Sequence, residues 1–493
     1  MSSETGSTGQ TGRVSEAGDL PENGRASVET HIARLSEVLA SAISSRAVET
    51  VQLKSSGLVG RLAAETVTAP APLPGFDNSQ MDGFAVRLQD LAPDDAGAAA
   101  LPLAGAVAAG SEPAQMPPGA AVAVMTGAPV PEGADLVIPV ERTVAGSFEH
   151  VELPAEPEQP AHQPRKHRFF GYKAPLLLST ELYQTEPSDS PSETGAAVEF
   201  TGLTGEDLAP GRFIRRAGSD VAVGDVLVET GAALTPAHLG VLAACGYTEL
   251  PVLSRTKVLV LSTGDEIRTP GSELRPGQLY DANSPLIAAV LETFGCAVET
   301  ARVGTDDPSW FMENLEALVA LHHPQVIVTA GGISKGAYEV VRQALNARGV
   351  QFGSVAQQPG GPQGWGLIDV ESPGRASPPV AVVALPGNPV SCAVSLETLV
   401  RPALAAIGPV CPPQRRIRVR VTERLSSPPG LRQFRRVRLT APDAVETVGG
   451  PSSHLLGHLA KADALLELLE DDVEVAPGTE RDAILLTERT TYG

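Results

Sequence analysis

The sequence predicts an α/β protein of several domains. A doubly wound parallel α/β domain is accompanied by β-rich linking and inserted domains and by a small C-terminal β domain. Three observations carry this. After Arg255 an apolar strand, a Gly-rich loop and an amphipathic helix alternate repeatedly, the pattern of a parallel sheet covered by helices on both faces. Between Val51 and about Arg216, short β-like runs are broken by Pro and Gly, and strand-like alternation returns beyond about Val410. The chain has 493 residues, more than three times a common domain size of roughly 150, so several domains and an ample core are expected.

The elements follow in order. Residues 1–27 lack any apolar period and read as a solvated tail. From His31 to Ser45, Ile32, Leu35, Leu39 and Ile43 recur at helical spacing. Ala121–Met125 and Leu136–Val140 are apolar strand-like runs in the β-rich region, where Pro154–Pro191 carries seven prolines among mixed charge. Neither a helix nor a central strand tolerates that, so 155–207 is expected to be a disordered insertion. Lys257–Leu261 reads as a buried strand. Asn283-Ser284-Pro285 opens a helix with Leu286, Ile287, Val290, Leu291 and Phe294 on one side, which Gly295 stops. A strand at Ala297–Val303, a helix opened by Asp307-Pro308, a strand at Gln325–Ala330 and a helix over about Ala337–Arg348 come next. Strands near Gly366–Val370 and Val380–Leu385 and a helix over Ser391–Ile407 complete the alternation. Arg416–Val421 and Phe434–Leu439 are the clearest strands of the final β domain.

Composition narrows the function. The net charge is −21, and so acidic a surface repels phosphate backbones and anionic lipid, which argues against nucleic-acid and membrane roles. No stretch reaches the ~18 apolar residues a spanning helix needs, and Met1–Gly24 has no signal-peptide pattern, so a cytoplasmic protein is expected. Cys245, Cys296, Cys392 and Cys411 show neither CxxC nor zinc-ligand spacing and read as small buried hydrophobes. Lysine occurs only at 54, 166, 173, 257, 335 and 461.

Ligands of a doubly wound sheet bind beyond the carboxyl ends of its strands. Four loops there are Gly-rich or Pro-Gly turns: Ser262-Thr263-Gly264-Asp265-Glu266, Thr329 to Gly336 with Gly331-Gly332-Ile333-Ser334-Lys335, Gln358 to Pro362, and Leu385-Pro386-Gly387-Asn388-Pro389-Val390-Ser391. Any one could be a plain turn. Four on one rim point to a phosphorylated or oxyanionic ligand, since glycine admits backbone N–H groups close to an anion. Asp265, Glu266, Asp281, Asp306 and Asp307 make the same rim acidic, and carboxylates beside a phosphate pocket call for a hard cation such as Mg²⁺. Asp265 and Glu266 are the candidate metal ligands; Asp307 reads better as a helix N-cap, and Asp281 either joins the rim or ends a turn. No nucleophile elbow, Walker loop or suitably placed GxGxxG is present.

Taken together, five ordered motifs resemble the molybdopterin molybdenumtransferase family, the MoeA-type enzymes related to the gephyrin E domain. They are Phe76-Asp77-Asn78-Ser79 with Met81-Asp82-Gly83, the run Met125-Thr126-Gly127-Ala128-Pro129-Val130-Pro131 to Asp135, Ser262 to Glu266, Gly331 to Ser334, and Leu385 to Ser391. Arg215 to Asp220 and Ser453-His454-Leu455 agree.

The resemblance implies four domains: a linking domain of 28–68 with 215–250, an inserted β-rich domain of 69–214, an α/β molybdopterin-binding domain of 251–408 and a C-terminal β domain of 409–493. It implies a homodimer with clefts shared between subunits, and insertion of molybdate into adenylylated molybdopterin with loss of AMP and dependence on Mg²⁺. By motif match Asp82, Thr126, Glu266, Asp306 and Glu339 take catalytic positions, Glu339 standing where the family often has Asp. Ser262, Thr263, Gly264, Gly331, Gly332, Ser334, Lys335, Pro386, Gly387, Asn388 and Pro389 take cofactor-binding ones. Gln358 and Gly361 stand where many relatives carry molybdate-holding lysines, and Lys335 stands where relatives usually have an apolar residue. Expected partners are a molybdopterin adenylyltransferase and molybdoenzymes. The competing readings are a molybdopterin adenylyltransferase and a non-catalytic scaffold or cofactor carrier of the same fold.

Overall fold

The computed structural model describes residues 24–43, 46–148, 151, 197–305, 307–333, 339–370, 378–408 and 411–486. They form two compact units, one from the described residues within 1–65, 229–236 and 248–493, the other from those within 66–228 and 237–247.

The first unit is built on a six-stranded sheet. Its strands are β1 (Lys257–Thr263), β2 (Ala297–Val303), β3 (Val326–Ala330), β4 (Gln351–Ser354), β5 (Pro362–Ile368) and β6 (Val380–Leu385), in the order β2-β1-β3-β6-β5-β4. The alternating side chains of β1 show why helices cover both faces. Val258 and Val260 pack with α1 (Val28–Ile43), α2 (Asn283–Thr293) and the helix that follows β6, while Leu259 and Leu261 pack with α3 (Pro308–His322) and α4 (Val340–Asn346). β2, β1, β3 and β6 are parallel. The expected doubly wound parallel sheet is present, with an antiparallel edge added where β5 runs antiparallel to both β6 and β4. The links 355–361 and 369–379 are too short for the crossover of a dozen or more residues that parallel pairing requires.

Two predicted helices also differ. The described part of the helix expected from Ala337 begins at Val340, residues 334–338 lying outside the described residues. The single helix expected over Ser391–Ile407 is instead α5 (Pro389–Ser395), a π turn Leu396–Val400, and α6 (Arg401–Ala406). Pro402 has no N–H to give the Thr398 carbonyl, which loosens the helix there.

In the C-terminal part of this unit, strands Arg432–Ala441, Ala444–Thr447, Arg416–Val421, Glu480–Leu485 and Ala464–Leu468 close on themselves, the last pairing back to the first. Gln357–Gln358 pairs with Arg432–Gln433 and so ties the loop before β5 to this barrel.

The second unit holds a five-stranded sheet in the order Leu136–Pro139, Gly83–Val86, Ala121–Val124, Ala99–Val107, Ala197–Phe200. Its last strand corrects the expected insertion of 155–207. Residues 152–196 lie outside the described residues, but Val198 and Phe200 are buried, and Phe200 meets the ring of Phe84 edge-on. Thr204 then donates to Asp207 in an ordered turn, 2.7 Å. The alternation Ala-Val-Glu-Phe at 197–200 marks a half-buried strand, which the Pro-rich composition before it hides.

Candidate active site

A cleft of about 880 Å³ opens at the carboxyl edge of the first unit's sheet. The chain runs from β1 outward to β2 and returns past β1 to β3, so the cleft sits where the winding reverses, the site open α/β sheets favour. Its rim is formed by the loops after β1, β3, β4 and β6, by the corner Tyr280–Asn283 before α2, and by Pro451–Ser453 from the barrel.

Glycine decides how closely the loops approach. Gly331, at φ +93°, donates its N–H to the Leu385 carbonyl at 3.1 Å, and a Cβ added at Gly387 would lie 3.4 Å from the Gly331 Cα. Gly264, at φ +124°, leaves room for the Glu266 carboxylate, with which an added Cβ would collide. Buried groups hold these loops from behind. Cys392 donates Sγ–H to the Pro386 carbonyl at 2.8 Å, and burial pushes its thiol up to about 12, so it stays protonated. All four cysteines are free and buried, as expected. The 358–362 loop is fixed by Gln363, which donates to Gly360 O at 2.7 Å and Ser395 Oγ at 2.8 Å, and by Gln357, which donates to Pro359 O at 3.0 Å.

Several cofactor-binding candidates of the sequence meet in this cleft: Ser262, Thr263, Gly264, Gly331, Gly332, Pro386, Gly387, Asn388 and Pro389. Glu266 and Glu339 line it too. Asp265 does not; its carboxylate lies toward Gly304, 3.5 Å from where a Cβ on that glycine would stand. Asp306, Ser334 and Lys335 lie outside the described residues. Asp307 is the N-cap of α3, accepting from Ser309 N at 2.8 Å and Trp310 N at 3.0 Å.

Asp281 accepts from the Ser262 and Ser284 hydroxyls, both at 2.6 Å, and from Ser284 N at 3.0 Å. Burial raises its pKa, but those donors and the Asn283 N–H outweigh it and hold the carboxyl below the usual range. Asp281 thus orients Ser262 and opens α2. Gln358, also in the cleft wall, accepts at Oε1 from Gln433 Nε2 at 2.5 Å, and Gln433 in turn accepts from Arg435 at 3.3 Å.

Asp82 and Thr126 belong to the second unit, where they meet although 44 residues apart. Thr126 donates its N–H to Asp82 Oδ1 at 2.6 Å and its hydroxyl at 2.9 Å. The surrounding motifs are laced together: Ser79 N donates to Ala128 O, Gly127 N to Ser79 O, and Val130 N to Asp77 O. Asp77 also accepts from Ala217 N at 2.8 Å and Arg216 at 2.5 Å. Burial raises the Asp77 pKa, while these partners lower it overall. Gly83 allows the close strand approach, since a Cβ there would strike the Ile138 carbonyl.

Sequence reasoning missed Tyr280, Asn283 and the Pro451–Ser452 part of the barrel loop. The only signal for that loop was the matching Ser453-His454-Leu455, and a contribution from a separate β barrel leaves no periodicity to read.

Comparison with known proteins agrees with this geometry. Residues 26–246 match the MoeA N-terminal region (domain I and II), 259–406 the probable molybdopterin binding domain, and 418–486 the MoeA C-terminal region (domain IV). The chain is 37% identical over 446 residues to molybdopterin molybdenumtransferase 2 of Mycobacterium tuberculosis, covering 88% of this chain and 95% of that protein. It is 33% identical over 430 residues to the molybdopterin molybdenumtransferase of Synechococcus elongatus, covering 84% and 89%. The crystal structure of the molybdopterin biosynthesis MoeA protein from Pyrococcus horikosii superposes with a TM-score of 0.67 at 25% identity, over 94% of this chain and all of that one. With relatives this similar over nearly their whole length and a glycine-lined cleft at the switch point of its sheet, the chain belongs to the molybdopterin molybdenumtransferase family.

Proposed function

We propose that this cleft binds adenylylated molybdopterin and molybdate, and that the protein releases AMP as it inserts the metal. Membership of the family makes the chain a transferase of molybdenum cofactor biosynthesis by molybdenum insertion. The observation that carries the finer reading is the meeting of glycine backbones from the loops after β3 and β6 in a cleft that Glu266 also lines. Backbone amides suit a phosphoanhydride and a tetrahedral oxyanion.

Mg²⁺ fits the same place. Among the described residues no three His, Cys, Asp or Glu side chains gather into a metal cluster, yet Mg²⁺ commonly takes only one or two carboxylates together with substrate phosphates and water. Glu266, which lines the cleft, would supply that contact, and the bound ion would offset phosphate charge. Ser262, held by Asp281, presents a fixed hydroxyl, and Glu339 faces the cleft just ahead of α4. The reading extends to a homodimer in which Asp82 and Thr126 of one subunit complete the cleft of the other, with the four-domain division given above. A molybdopterin adenylyltransferase would supply the substrate and molybdoenzymes receive the product. No helix among the described residues is long and apolar enough to cross a membrane.

The test is AMP release from adenylylated molybdopterin with molybdate and Mg²⁺. Glu266→Gln, which removes one charge at constant shape, should lower turnover at limiting Mg²⁺ roughly tenfold or more. Wild-type turnover in that variant would remove Glu266 from the metal site. Failure of the unmutated protein to release AMP would favour a scaffold or carrier role instead.

A further inference from the structure

The cleft has two ends of different chemistry. One is the glycine backbone already described. The other is the corner where Leu279–Tyr280 leads into α2, and it carries carbon surface in the open: Leu279 is 61% and Tyr280 47% exposed, with Ile267 beside them in the wall. Tyr280 is the one aromatic side chain among the described residues lining the cleft. Its hydroxyl donates to the Ser272 carbonyl at 2.8 Å, so the polar tip is committed to the protein and what remains for the cleft is ring. A tethered aromatic left exposed in a concave wall is a ready stacking surface.

Asn283 stands three residues further on, at the same corner. Its Nδ2 donates to the Gly387 carbonyl at 2.8 Å, which ties the corner to the loop after β6. That bond fixes the amide and leaves Oδ1 buried without a partner. An orphaned acceptor in a ligand cleft is satisfied when a ligand N–H arrives, and is costly otherwise. Asp281, between the two, has both oxygens occupied by Ser262 and Ser284 and does not compete for that role.

We infer that Tyr280 and Asn283 form a subsite for a flat, fused nitrogen heterocycle, with the ring system against Tyr280 and an N–H of its edge donated to Asn283 Oδ1. This rests on the reading that the cleft takes an adenylylated pterin, a substrate that carries two such heterocycles. Both the purine and the pterin have the required shape and N–H donors. The subsite separates heterocycle recognition from anion recognition, which falls to the glycine loops.

Binding rather than turnover tests it. Dissociation constants of AMP, of pterin-6-carboxylate and of ribose 5-phosphate, which lacks a base, are measured by calorimetry for wild type, Tyr280→Phe, Tyr280→Ala, Tyr280→Leu and Asn283→Leu. Loss of base stacking should weaken AMP or pterin-6-carboxylate by roughly five- to a hundredfold in Tyr280→Ala and Tyr280→Leu. Tyr280→Phe should stay within about twofold, because the ring remains. Asn283→Leu should weaken the same probe, and ribose 5-phosphate should be indifferent to every change. The probe that responds tells whether purine or pterin occupies the corner. Unaltered binding of both heterocycles in Tyr280→Ala and Tyr280→Leu overturns the subsite, as does an equal loss for ribose 5-phosphate, which would reveal a merely structural tyrosine. Because the readout is affinity, the subsite stands or falls independently of whether the protein releases AMP.

Discussion

At the scale of single residues, two adjacent glycines of the rim show how sharply neighbouring positions differ. Gly360 sits at φ +98°, and a Cβ there would stand 2.6 Å from Ser395 Oγ and 3.0 Å from Gln357 Nε2. Gly361 is unstrained, and its Cβ would meet nothing nearer than Ser354 Oγ at 3.5 Å. Gly360→Ala should therefore cost about 1–3 kcal/mol in chemical denaturation, whereas Gly361→Lys should change stability by no more than about 0.5 kcal/mol. The added ammonium would stand three residues from Gln358, a neutral amide held by Gln433, so the apparent KM for molybdate should fall roughly three- to tenfold. An unchanged KM would place the oxyanion elsewhere. The resemblance made Gln358 and Gly361 conspicuous, but not their different latitude: a left-handed φ and the nearness of Ser395 arise from residues 35 positions away. By contrast, the Asp82–Thr126 pair was legible as two motifs, and the hydrogen bonds explain why both carry polar residues at fixed places.

At the scale of elements, α1 was readable because Leu35 and Leu39 recur on one face. What that face packs against was not, because His31 on the same stripe is fully buried and meets the ring of Trp365 edge-on at 5.0 Å. Neither ring nitrogen has a partner. Burial first, and the nearby Arg34 second, push the His31 pKa down to about 3. Because the folded value lies below the ordinary value of about 6.5, the unfolded chain binds the proton first as pH falls. Stability contributed by neutral His31 is thus complete above about pH 6.5 and is lost toward pH 3, at a limiting slope of about 1.4 kcal/mol per pH unit. His31→Leu removes the orphan nitrogens and should be at least as stable as wild type at pH 7.5, with a shallower decline between pH 6 and 4 in urea titrations. If the two proteins lose stability in parallel over that range, the histidine is not the source. The mixed edge of the sheet was hidden for a different reason. No strand was legible at 351–354, and the strand-like run near Gly366–Val370 says nothing of direction, which the short links between strands decide.

At the scale of the whole molecule, the candidate catalytic residues fall in different compact units: Asp82 and Thr126 in one, Glu266 and Glu339 in the other. The proposed homodimer accounts for that division by letting each cleft draw on two subunits, and the idea makes a quantitative prediction. Asp82→Ala and Glu266→Ala homodimers should each be inactive, since every cleft lacks one essential group. After subunit exchange, half of the dimers formed from an equal mixture are heterodimers. In each of these, one cleft carries both lesions and the other carries neither. One intact cleft in two, in half of the dimers, restores about a quarter of wild-type AMP release per subunit. If each cleft is instead built within one chain, every cleft in the mixture still carries one lesion and no activity returns. Exchange itself is followed by mass-tagged subunits, so that silence after proven heterodimer formation refutes shared clefts. Recovery well above a quarter would show that one substitution leaves partial activity, which the homodimer controls read directly.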